Sequence, residues 1–469
     1  MDSPIRYDRI IRGGHVISAS AAVRADVAIR GESVAALLPP GSPAEAGSVL
    51  DATGRLVLPG LIDSHVHFRT PGRTDQEDWA AGSRAAVAGG VTTVIDMPDT
   101  LPPLYTAQDA RDKHRLVRYT SLVDYRFHAQ VDPRRIEATA ELTPREAASV
   151  KATLTGSAQA THVLRDPAAL DRLFRVCAGG ALPLLFHAED DGVFTLLDGW
   201  LGVPRQYAAY ERHRPRSAGI VAVYRLIELA RRHGVPVHIL HVSSREEVDL
   251  LCAGAAAGIP VTFEVTGHHL SFTSLDVSRL GARVRLSPAL REPADQDRLW
   301  TAVIEGQAAT LGSDHAPYRF ADKSLAVPDA PPGLPGVQEL LPAVFTGLRR
   351  RYTHLDAPGA ARIVARLLAE RPSELFGLAG RKGRIAPGMD ADLVVFEPDR
   401  TWMLSPDDVH AKCGWSAYEG WTFTGGVQLT LRRGEVVYDR TDGVARFGGP
   451  AGRWLAPSPV APDREILRT

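Results

Sequence analysis

Six candidate metal ligands stand out in this sequence because each lies at or near the end of a short apolar segment. They are His65, His67, Lys151, His187, His241 and Asp314. Imidazole nitrogens and carboxylate oxygens bind zinc and related divalent cations, which activate water and polarise carbonyl groups in hydrolytic enzymes. If the fold brings these segments together, the sequence predicts a metal-dependent hydrolytic centre.

The spacing of the histidines indicates which side chains point the same way. Residues i and i+2 of a strand lie on one face, so His65 and His67 would point to the same side. His238 and His241 would lie on opposite faces of their strand, and we interpret His238 as structural and His241 as a ligand. A lone histidine after an apolar segment is more often a core residue, and Asp314 could cap a helix. The joint occurrence of all six residues favours the ligand interpretation.

The apolar segments themselves have the composition of buried parallel strands. Runs rich in Val, Ile and Leu that alternate with helical patterns are typical of strands covered on both faces. Eight strands are predicted, at residues 56–67, 92–97, 121–129, 149–154, 182–187, 235–242, 260–265 and 308–313. Eight alternations fit a closed (β/α)8 barrel better than an open sheet of about five or six strands. A barrel would collect the candidate ligands at its C-terminal mouth, where such folds carry their active sites.

The two ends of the chain differ from this middle region and consist of short β segments with turns. We therefore predict an α/β fold in which residues 59–382 form a (β/α)8 TIM barrel, while residues 1–58 and 383–469 together form a small β-sandwich domain. The Pro-rich tail from residue 448 to residue 469 is predicted to be an arm rather than part of a core.

Composition excludes several classes of protein. The formal net charge is −1 at pH 7, which implies no nucleic-acid or anionic-membrane partner. Three widely spaced cysteines form neither a disulfide framework nor a CxxC motif, and they suit a reducing compartment. The first residues lack the pattern of a secretion signal, and no segment is long and apolar enough to cross a bilayer. A cytoplasmic protein is expected.

Lysine is scarce, and one of the five lysines lies in an unusual setting. Lys151 falls within an apolar predicted strand, where an unpaired ammonium group would be costly. It therefore needs a partner, a lowered pKa or a chemical modification. The other four lie in polar segments and are predicted to be exposed; they are Lys113, Lys323, Lys382 and Lys412.

Taken together, the motifs resemble those of the amidohydrolase superfamily. The matching segments are Pro-Gly-Leu-Ile-Asp-Ser-His-Val-His-Phe-Arg at residues 59–69, the lysine of the fourth strand, and residues 187–190, 241–244, 313–317 and 388–396. The resemblance is greatest to the cyclic amidohydrolases, which include dihydroorotase, allantoinase and hydantoinase, and within this branch to dihydroorotase-like proteins. It extends over nearly the whole chain.

This resemblance implies two zinc ions per subunit, with other divalent metals as alternatives. The implied ligands are His65, His67 and Asp314 for the first ion, His187 and His241 for the second, and a carboxylated Lys151 that bridges both. Asp314 would also be the catalytic residue that shuttles protons. The implied reaction opens or closes a cyclic amide or ureide ring by means of a hydroxide held between the two ions. A homodimer or homotetramer is implied as well.

The predicted substrate-binding residues depart from the dihydroorotase pattern. Arg69 resembles an arginine that binds a substrate carboxylate, but Asp99 and Tyr318 stand where dihydroorotases carry asparagine and histidine. Because an ionised aspartate only accepts hydrogen bonds, we predict a small ureido, guanidino or cyclic-imide substrate with a carboxylate facing Arg69 and a donor or cationic group facing Asp99. Alternatively, Asp99 pairs with a nearby arginine and touches no substrate. Ser287 is a further candidate contact, and Gln130 and Glu264 are weaker ones.

Other interpretations stay open at this point. Residues 71–74 and 335–342 resemble allantoinases, and an allantoinase or a hydantoinase (dihydropyrimidinase) is the main alternative. A non-catalytic scaffold would have lost metal ligands, whereas this chain keeps the full set. A dipeptidase or deaminase on the same barrel is disfavoured because the lysine on the fourth strand is typical of the binuclear amidase branch.

Overall fold

Seven short strands at the start of the chain lie outside the barrel. The computed structural model describes residues 6–156, 163–202, 204–327 and 329–458. The first strands are β1 Arg6–Arg12, β2 His15–Ile17, β3 Ala22–Arg24, β4 Asp26–Arg30, β5 Ser33–Leu38, β6 Glu45–Asp51 and β7 Leu56–Pro59. Exposed and half-buried residues alternate along β6, as expected for a strand with one covered face.

The next nine strands occupy the eight strand positions of a parallel barrel. They are β8 Leu61–Val66, β9 Val91–Asp96, β10 Asp124–Phe127, β11 Ala129–Gln130, β12 Val150–Thr153, β13 Leu184–His187, β14 Val237–Ile239, β15 Val261–Thr266 and β16 Thr310–Gly312. The consecutive segments β10 and β11 share the third position, with β10 pairing to β9 and β11 to β12. A parallel bridge between Val66 and His315 closes the ring. The predicted barrel is confirmed.

Four further strands complete a β-sandwich with the strands of the N-terminal end. They are β17 Leu393–Met403, β18 Thr422–Arg432, β19 Glu435–Asp439 and β20 Arg446–Phe447. One sheet has the order β5-β4-β1-β6, and the other has the order β20-β19-β18-β17-β7-β2-β3. Val27 and Ile29 of the first sheet pack with Leu393 and Leu429 of the second in one buried cluster. The predicted sandwich from both ends of the chain is therefore confirmed.

Helices alternate with the barrel strands and cover their outer faces. The α-helices are α1 Trp79–Ala88, α2 Ala107–Val117, α3 Pro167–Cys177, α4 Asp191–Leu201, α5 Tyr210–His213, α6 Arg216–His233, α7 Arg245–Ala256, α8 Gly267–Ser271, α9 Val277–Leu280, α10 Pro293–Ile304, α11 Phe320–Lys323, α12 Leu340–Arg351, α13 Ala357–Ala365 and α14 Arg371–Leu375. A π-helical segment at Arg366–Glu370 joins the last two, and 3₁₀ turns lie at Ile136–Glu141, Tyr207–Ala209, Ser274–Asp276, Gly281–Val284 and Pro406–Asp408. Within the described ranges, no helix is long and apolar enough to cross a membrane.

Two sequence predictions about the ends of these elements were wrong. The single strand predicted at residues 56–67 is two strands, because β7 pairs with β17 of the sandwich and β8 with β9 of the barrel. Gly60 separates them, and a Cβ atom there would collide with the Thr92 and Asp392 side chains. The described part of the tail is not a free arm, since Leu455 is buried and its backbone N–H donates to Tyr125 of β10. Residues 459–469 lie outside the described part.

The lysines are far more buried than their polar neighbourhoods predicted. Lys113, Lys323 and Lys382 are each less than 5% exposed, and only Lys412 keeps a partly exposed side chain. Each buried ammonium group has partners: Lys113 pairs with Asp96, and Lys323 donates to backbone carbonyl oxygens at 2.7 and 2.8 Å. The prediction failed because these partners lie 8 to 17 residues away and reach the lysines only through the fold of the chain between them.

Lys382 is the centre of an ion cluster that joins the sandwich to the barrel. Its Nζ lies 2.7 Å from Asp124, 2.8 Å from Asp390 and 2.6 Å from Asp392, while Arg433 also pairs with Asp124. Asp124 opens the barrel strand β10, and Arg433 follows the sandwich strand β18. Burial would lower the pKa of Lys382, but the three carboxylates outweigh it and raise that pKa above its usual value. The buried charges therefore hold one another in place.

We predict that Lys382→Met destabilises the protein by about 3–5 kcal/mol, because it leaves three buried carboxylates without their shared cation. The measurement is the shift in the midpoint of chemical denaturation. Lys412→Met is the matched control, since Lys412 makes a partly exposed pair with Asp78 at 2.7 Å and its loss should cost less than about 1 kcal/mol. Equal shifts for the two variants would contradict a central role for Lys382.

Candidate metal centre

One cavity at the C-terminal ends of the barrel strands collects all six predicted metal ligands. It encloses about 590 Å³ of space, part of which opens to solvent. Among the described residues, its polar lining consists of the six predicted ligands together with Asp99, Gln130, Thr153 and Ser287. The apolar part of the wall comes from Leu286, Ala316 and Pro332. The barrel thus brings together residues that are up to about 250 positions apart in sequence.

Five of the six predicted ligands lie in the last two residues of their strands or just beyond, and Lys151 is the second residue of β12. His65 lies in β8 and His187 ends β13, whereas His241 and Asp314 each follow two residues after a strand. His241 and Asp314 adopt positive φ angles of 37° and 43°, and Arg69 has a φ of 54°. Side chains other than glycine pay a conformational cost in this region, and such strain is concentrated at functional sites. The backbone is therefore held in unusual conformations where the ligands turn into the cavity.

His65, His67 and Asp314 form a compact group of potential ligand atoms. The Nε2 atoms of both histidines lie 3.2 Å from Oδ1 of Asp314, and one ligand atom from each residue lies within 4.8 Å of the others. All three side chains are buried or nearly so. Two imidazoles and a carboxylate that converge in this way suit a divalent cation of the zinc type.

His187 and His241 form a second group beside the first. Nδ1 of His187 lies 3.0 Å from Nε2 of His241, and the two ring centroids are 4.6 Å apart. The ring of His241 also lies 5.5 Å from the ring of His65. The two groups of histidines are therefore neighbours across the barrel mouth, and together they fit the donor set of a pair of metal ions.

Buried carboxylates bind the remote ring nitrogens of three of these four histidines. The pairs are His65 Nδ1 with Glu264 Oε1 at 2.7 Å, His67 Nδ1 with Asp99 Oδ1 at 2.6 Å, and His187 Nε2 with Glu189 Oε2 at 2.9 Å. A ring nitrogen that donates to a carboxylate fixes the tautomer and leaves the other nitrogen with a lone pair for a metal. The carboxylates therefore orient the histidines as ligands.

Lys151 is buried and has no acidic partner within hydrogen-bonding distance among the described residues. Its nearest polar contact is Met97, whose Sδ lies 3.3 Å from Nζ. Burial lowers the pKa of Lys151, and the more distant carboxylates of Asp99 and Asp314 offset only part of that effect. Compared with an exposed lysine, Lys151 loses its proton more readily in this environment, and the neutral amine is the nucleophilic form. The expectation of a lysine with a lowered pKa agrees with this geometry.

The predicted substrate-binding residues Arg69 and Asp99 contact each other. Oδ2 of Asp99 accepts a hydrogen bond from Nη1 of Arg69 at 3.1 Å, and the Arg69 guanidinium lies 5.1 Å from the centre of the Tyr318 ring. Arg69 and Tyr318 are both buried and do not line the cavity, whereas Asp99 does. The structure therefore contains the pairing of Asp99 with a nearby arginine, while Asp99 also lines the cavity. Two opposite charges that are removed from water neutralise each other, so Arg69 is not presented to a substrate in this arrangement.

Several side chains at the site were missed or only weakly indicated by sequence reasoning. Glu189 was missed, although it lies two residues after His187 and shares its face of the chain. Glu264 was a weak candidate and contacts a ligand rather than the cavity. Gln130 and Ser287 both line the cavity, and Ser287 donates to Oε2 of Glu189 at 2.9 Å. A search for acidic residues at strand ends would have found both glutamates.

Comparisons with known proteins agree with this geometry. A sequence model described as the amidohydrolase family matches residues 56–437. An allantoinase from Streptomyces avermitilis is 34% identical over 452 residues, which cover 96% of this chain and 99% of the relative. A dihydroorotase from Halobacterium salinarum is 34% identical over 448 residues, which cover 94% of this chain and 99% of the relative. Sequence identity alone does not separate these two activities.

Solved structures show the same likeness over the whole chain. An L-hydantoinase (dihydropyrimidinase) from Arthrobacter aurescens superimposes with a TM-score of 0.90 at 26% identity, covering 96% of this chain and all of the other. A D-hydantoinase superimposes with a TM-score of 0.86, also at 26% identity, covering 96% of this chain and 99% of the other. The relatives therefore include three kinds of cyclic amide hydrolase.

We predict that His241→Gln lowers the amount of divalent metal bound per chain, whereas His238→Gln leaves it unchanged. The two histidines come from the same strand region, but His238 is bound to Thr262 at 2.8 Å and to Thr310 at 3.2 Å and does not line the cavity. Elemental analysis after gel filtration measures the metal. Equal metal losses in both variants would contradict the assignment of His241 as a ligand.

Proposed function

Because the chain belongs to the amidohydrolase family, and within it to the hydrolases of cyclic amides, we propose that it opens the ring of an uncharged cyclic ureide at a binuclear metal centre. The observation that carries this proposal is the cavity itself, in which all six candidate ligands meet beside neutral hydrogen-bonding groups. The alternative of a non-catalytic scaffold loses its basis, since no ligand of the set is missing.

The two metal ions would be held by different residues. His65, His67 and Asp314 would bind the first ion, and His187 and His241 the second. Zinc suits these imidazole and oxygen ligands best, with manganese, cobalt and iron as alternatives. When bound, such ions lower the pKa of water and polarise a carbonyl group.

Lys151 would bridge the two ions after reaction with carbon dioxide. Its buried amine nitrogen would form a bond to the carbon of carbon dioxide and lose a proton, which gives an anionic carbamate with two ligand oxygens. This change would replace an unfavourable buried ammonium group by an anion that faces two cations. The absence of an acidic partner for the amine within the described ranges supports this proposal.

Asp314 would move the proton during ring opening. Burial would raise the pKa of Asp314, but His65 and His67 outweigh it and hold that pKa well below its usual value, so the group starts as a carboxylate. It would accept the proton of the attacking water and deliver it to the ring nitrogen as the carbon–nitrogen bond breaks. The reverse sequence closes a ring, so substrate concentration and pH would set the direction.

The lining of the cavity supports an uncharged substrate. No arginine contributes to the lining in the described structure, and Lys151 is the lone basic side chain there apart from histidines. Gln130, Thr153 and Ser287 supply neutral donors and acceptors that complement the N–H and C=O groups of a ureide. Asp99 would accept a hydrogen bond from a ring or side-group N–H.

A substrate that carries a carboxylate is the second candidate, and one observation favours it. Nε and Nη2 of Arg69 are buried and form no hydrogen bond within the described structure. Together they make the edge of the guanidinium that binds a carboxylate in bidentate fashion. A dihydroorotate-like substrate would require this edge to turn toward the cavity.

We predict that allantoin or hydantoin is opened with a kcat/KM at least about tenfold higher than that for dihydroorotate, because a carboxylate would meet no cation in the cavity other than the metals. Initial rates over a panel that also includes dihydrouracil measure this ratio. A preference for dihydroorotate would contradict the proposal and support the second candidate.

Two variants serve as controls for this panel. Lys151→Ala should abolish the opening of every ring, since it removes the proposed bridge between the metals. Arg69→Met should affect charged and uncharged substrates equally if Arg69 acts only by holding Asp99. A rise in KM confined to dihydroorotate would instead show that Arg69 binds the carboxylate.

We further propose that the chain forms a homo-oligomer through the outer faces of α4 and α6. In α4 the one side chain that is buried is Phe194, while Trp200 is 73% exposed, and Tyr224 of α6 is 60% exposed. A mostly apolar groove beside Tyr224 is lined by Ile220, Val221, Tyr224, Arg225, Glu228 and Leu250. Trp200 and this groove lie on neighbouring helices that pack together. In a symmetric dimer, the tryptophan of one copy would fit against the groove of the other.

The size and charge of this surface also support a second copy of the chain as its binding partner. Two aromatic side chains that bury on the order of 150–250 Å² each, together with the exposed Leu196, Leu201 and Val221, approach the ~800 Å² per partner of a stable dimer. Arg225 and Glu228, which pair with Asp190 and Arg231 within one copy, would also meet Glu228 and Arg225 of the other copy across a twofold axis.

We predict that Trp200→Glu converts the oligomer to monomers, because it places a charge in an apolar contact. Light scattering coupled to gel filtration gives the mass. Tyr119→Glu is the matched control, since Tyr119 is 71% exposed on another part of the barrel and its loss should leave the mass unchanged. A monomeric wild-type protein, or an oligomer that persists in Trp200→Glu, would contradict the proposed surface.

A cytoplasmic location is also proposed. It rests on Cys177, Cys252 and Cys413, which are all unpaired thiols in the structure and suit a reducing compartment.

A further inference from the structure

The two halves of the candidate metal centre differ in how firmly their ligands are held. Both His65 and His67 donate from Nδ1 to a buried carboxylate, and Asp314 joins them directly. Of the other two histidines, only His187 has a carboxylate partner, whereas Nδ1 of His241 has no hydrogen-bond partner in the described structure. The protein therefore supports the two ends of the site unequally.

Glu264 is fixed tightly on the supported side. Its Oε1 accepts from Nδ1 of His65 at 2.7 Å and from the backbone N–H of His241 at 3.1 Å. Gly312 leaves room for this carboxylate, because a Cβ atom there would lie 2.7 Å from Cδ of Glu264 and 3.1 Å from Cβ of His65. Glu264 thus orients the ring of His65 and holds the backbone of His241 in its positive-φ conformation.

Asp99 is fixed in a comparable way. One carboxylate oxygen accepts from Nδ1 of His67 at 2.6 Å, and the other accepts from Nη1 of Arg69 at 3.1 Å. Arg69 is itself packed over the ring of Tyr318. Both oxygens of Asp99 are engaged, so the carboxylate is prevented from rotating away from His67.

Glu189 uses one oxygen for two partners, as Glu264 does, and it supports the one imidazole of its end that has a carboxylate partner in the described structure. Its Oε2 lies 2.9 Å from Nε2 of His187 and accepts from the Ser287 hydroxyl at 2.9 Å, while Oε1 has no partner in the described residues. The end at His187 and His241 therefore has one carboxylate-supported imidazole, whereas the end at His65 and His67 has two.

We propose that the site binds its two metal ions with unequal affinity, the ion at His65, His67 and Asp314 being the tighter, and that Asp99 and Glu264 are the positioning residues that create the difference. This inference rests on the proposed binuclear centre. An imidazole that donates to a carboxylate is a better metal ligand and is already oriented, and loss of such a partner typically weakens metal binding by about 10–100-fold.

The experiment removes zinc from the fully loaded enzyme by equilibration against buffers of increasing chelator strength. Elemental analysis gives zinc per chain at each step. For the wild type we expect two separate losses, with a plateau of one zinc per chain between them. In Asp99→Asn and Glu264→Gln, the second zinc should be removed by a chelator buffer at least about tenfold weaker than the wild type requires. The plateau at one zinc per chain should therefore be shorter.

Three variants identify which ion each loss reports. Glu189→Gln should act in the opposite sense, because it weakens the looser end and widens the plateau. His241→Gln should keep one zinc with the wild-type tight affinity, whereas His67→Gln should keep one zinc that leaves at the weaker step. Melting temperatures of the metal-free proteins show whether each variant is folded, and Asp99→Asn alone decides the outcome if Glu264→Gln does not fold.

If the wild type lost both zinc ions in a single step, the inference would be overturned. The same holds if the one-zinc plateau narrows in Glu189→Gln, or if it is unchanged in folded Asp99→Asn. Saturation at one zinc or none in the wild type is a different result. It would overturn the binuclear centre itself, and the two failures are therefore distinguishable.

Discussion

Many ionisable groups are buried together in the mouth of this barrel, and neighbouring side chains must compensate their charges. Charges removed from water are costly unless opposite charges or metal ions compensate them. At the C-terminal mouth, histidines, a lysine and several carboxylates lie within one cavity and its wall. Each of Asp99, Glu189 and Glu264 contacts a histidine, which fixes both the charge and the direction of the rings. The chemistry of the site follows from this compensation.

The same constraint is met differently at the other end of the barrel. There Lys382, Asp124 and Arg433 form a closed set of ion pairs between the barrel and the sandwich, and none of these residues lines the cavity. The ion pairs at this end hold the sandwich against the barrel. At the mouth, in contrast, the nitrogen and oxygen atoms of the predicted ligands point into one cavity. Barrels of this kind separate stability at the bottom from function at the top.

Sequence reasoning brought together residues that do line one cavity, because strand parity and strand ends are local properties. His65 and His67, the choice of His241 over His238, and Asp314 all came from short segments, and the cavity contains each of them except His238. The contacts of Arg69 were harder to predict, since its pairing with Asp99 depends on how two loops that follow neighbouring strands approach each other. The burial of Lys382 likewise depends partly on Asp124, an ion-pair partner that lies 258 positions away in the sequence.

We propose above that this barrel mouth holds two divalent ions on either side of a modified Lys151. Crystals of the metal-loaded enzyme, measured with X-rays on both sides of the zinc absorption edge, test it directly. A binuclear centre should give two peaks of anomalous difference density, one among His65, His67 and Asp314 and one between His187 and His241. Electron density for a carbamate on Lys151 should lie between the two peaks. A single peak, or an unmodified Lys151 pointing away from both ions, would contradict it.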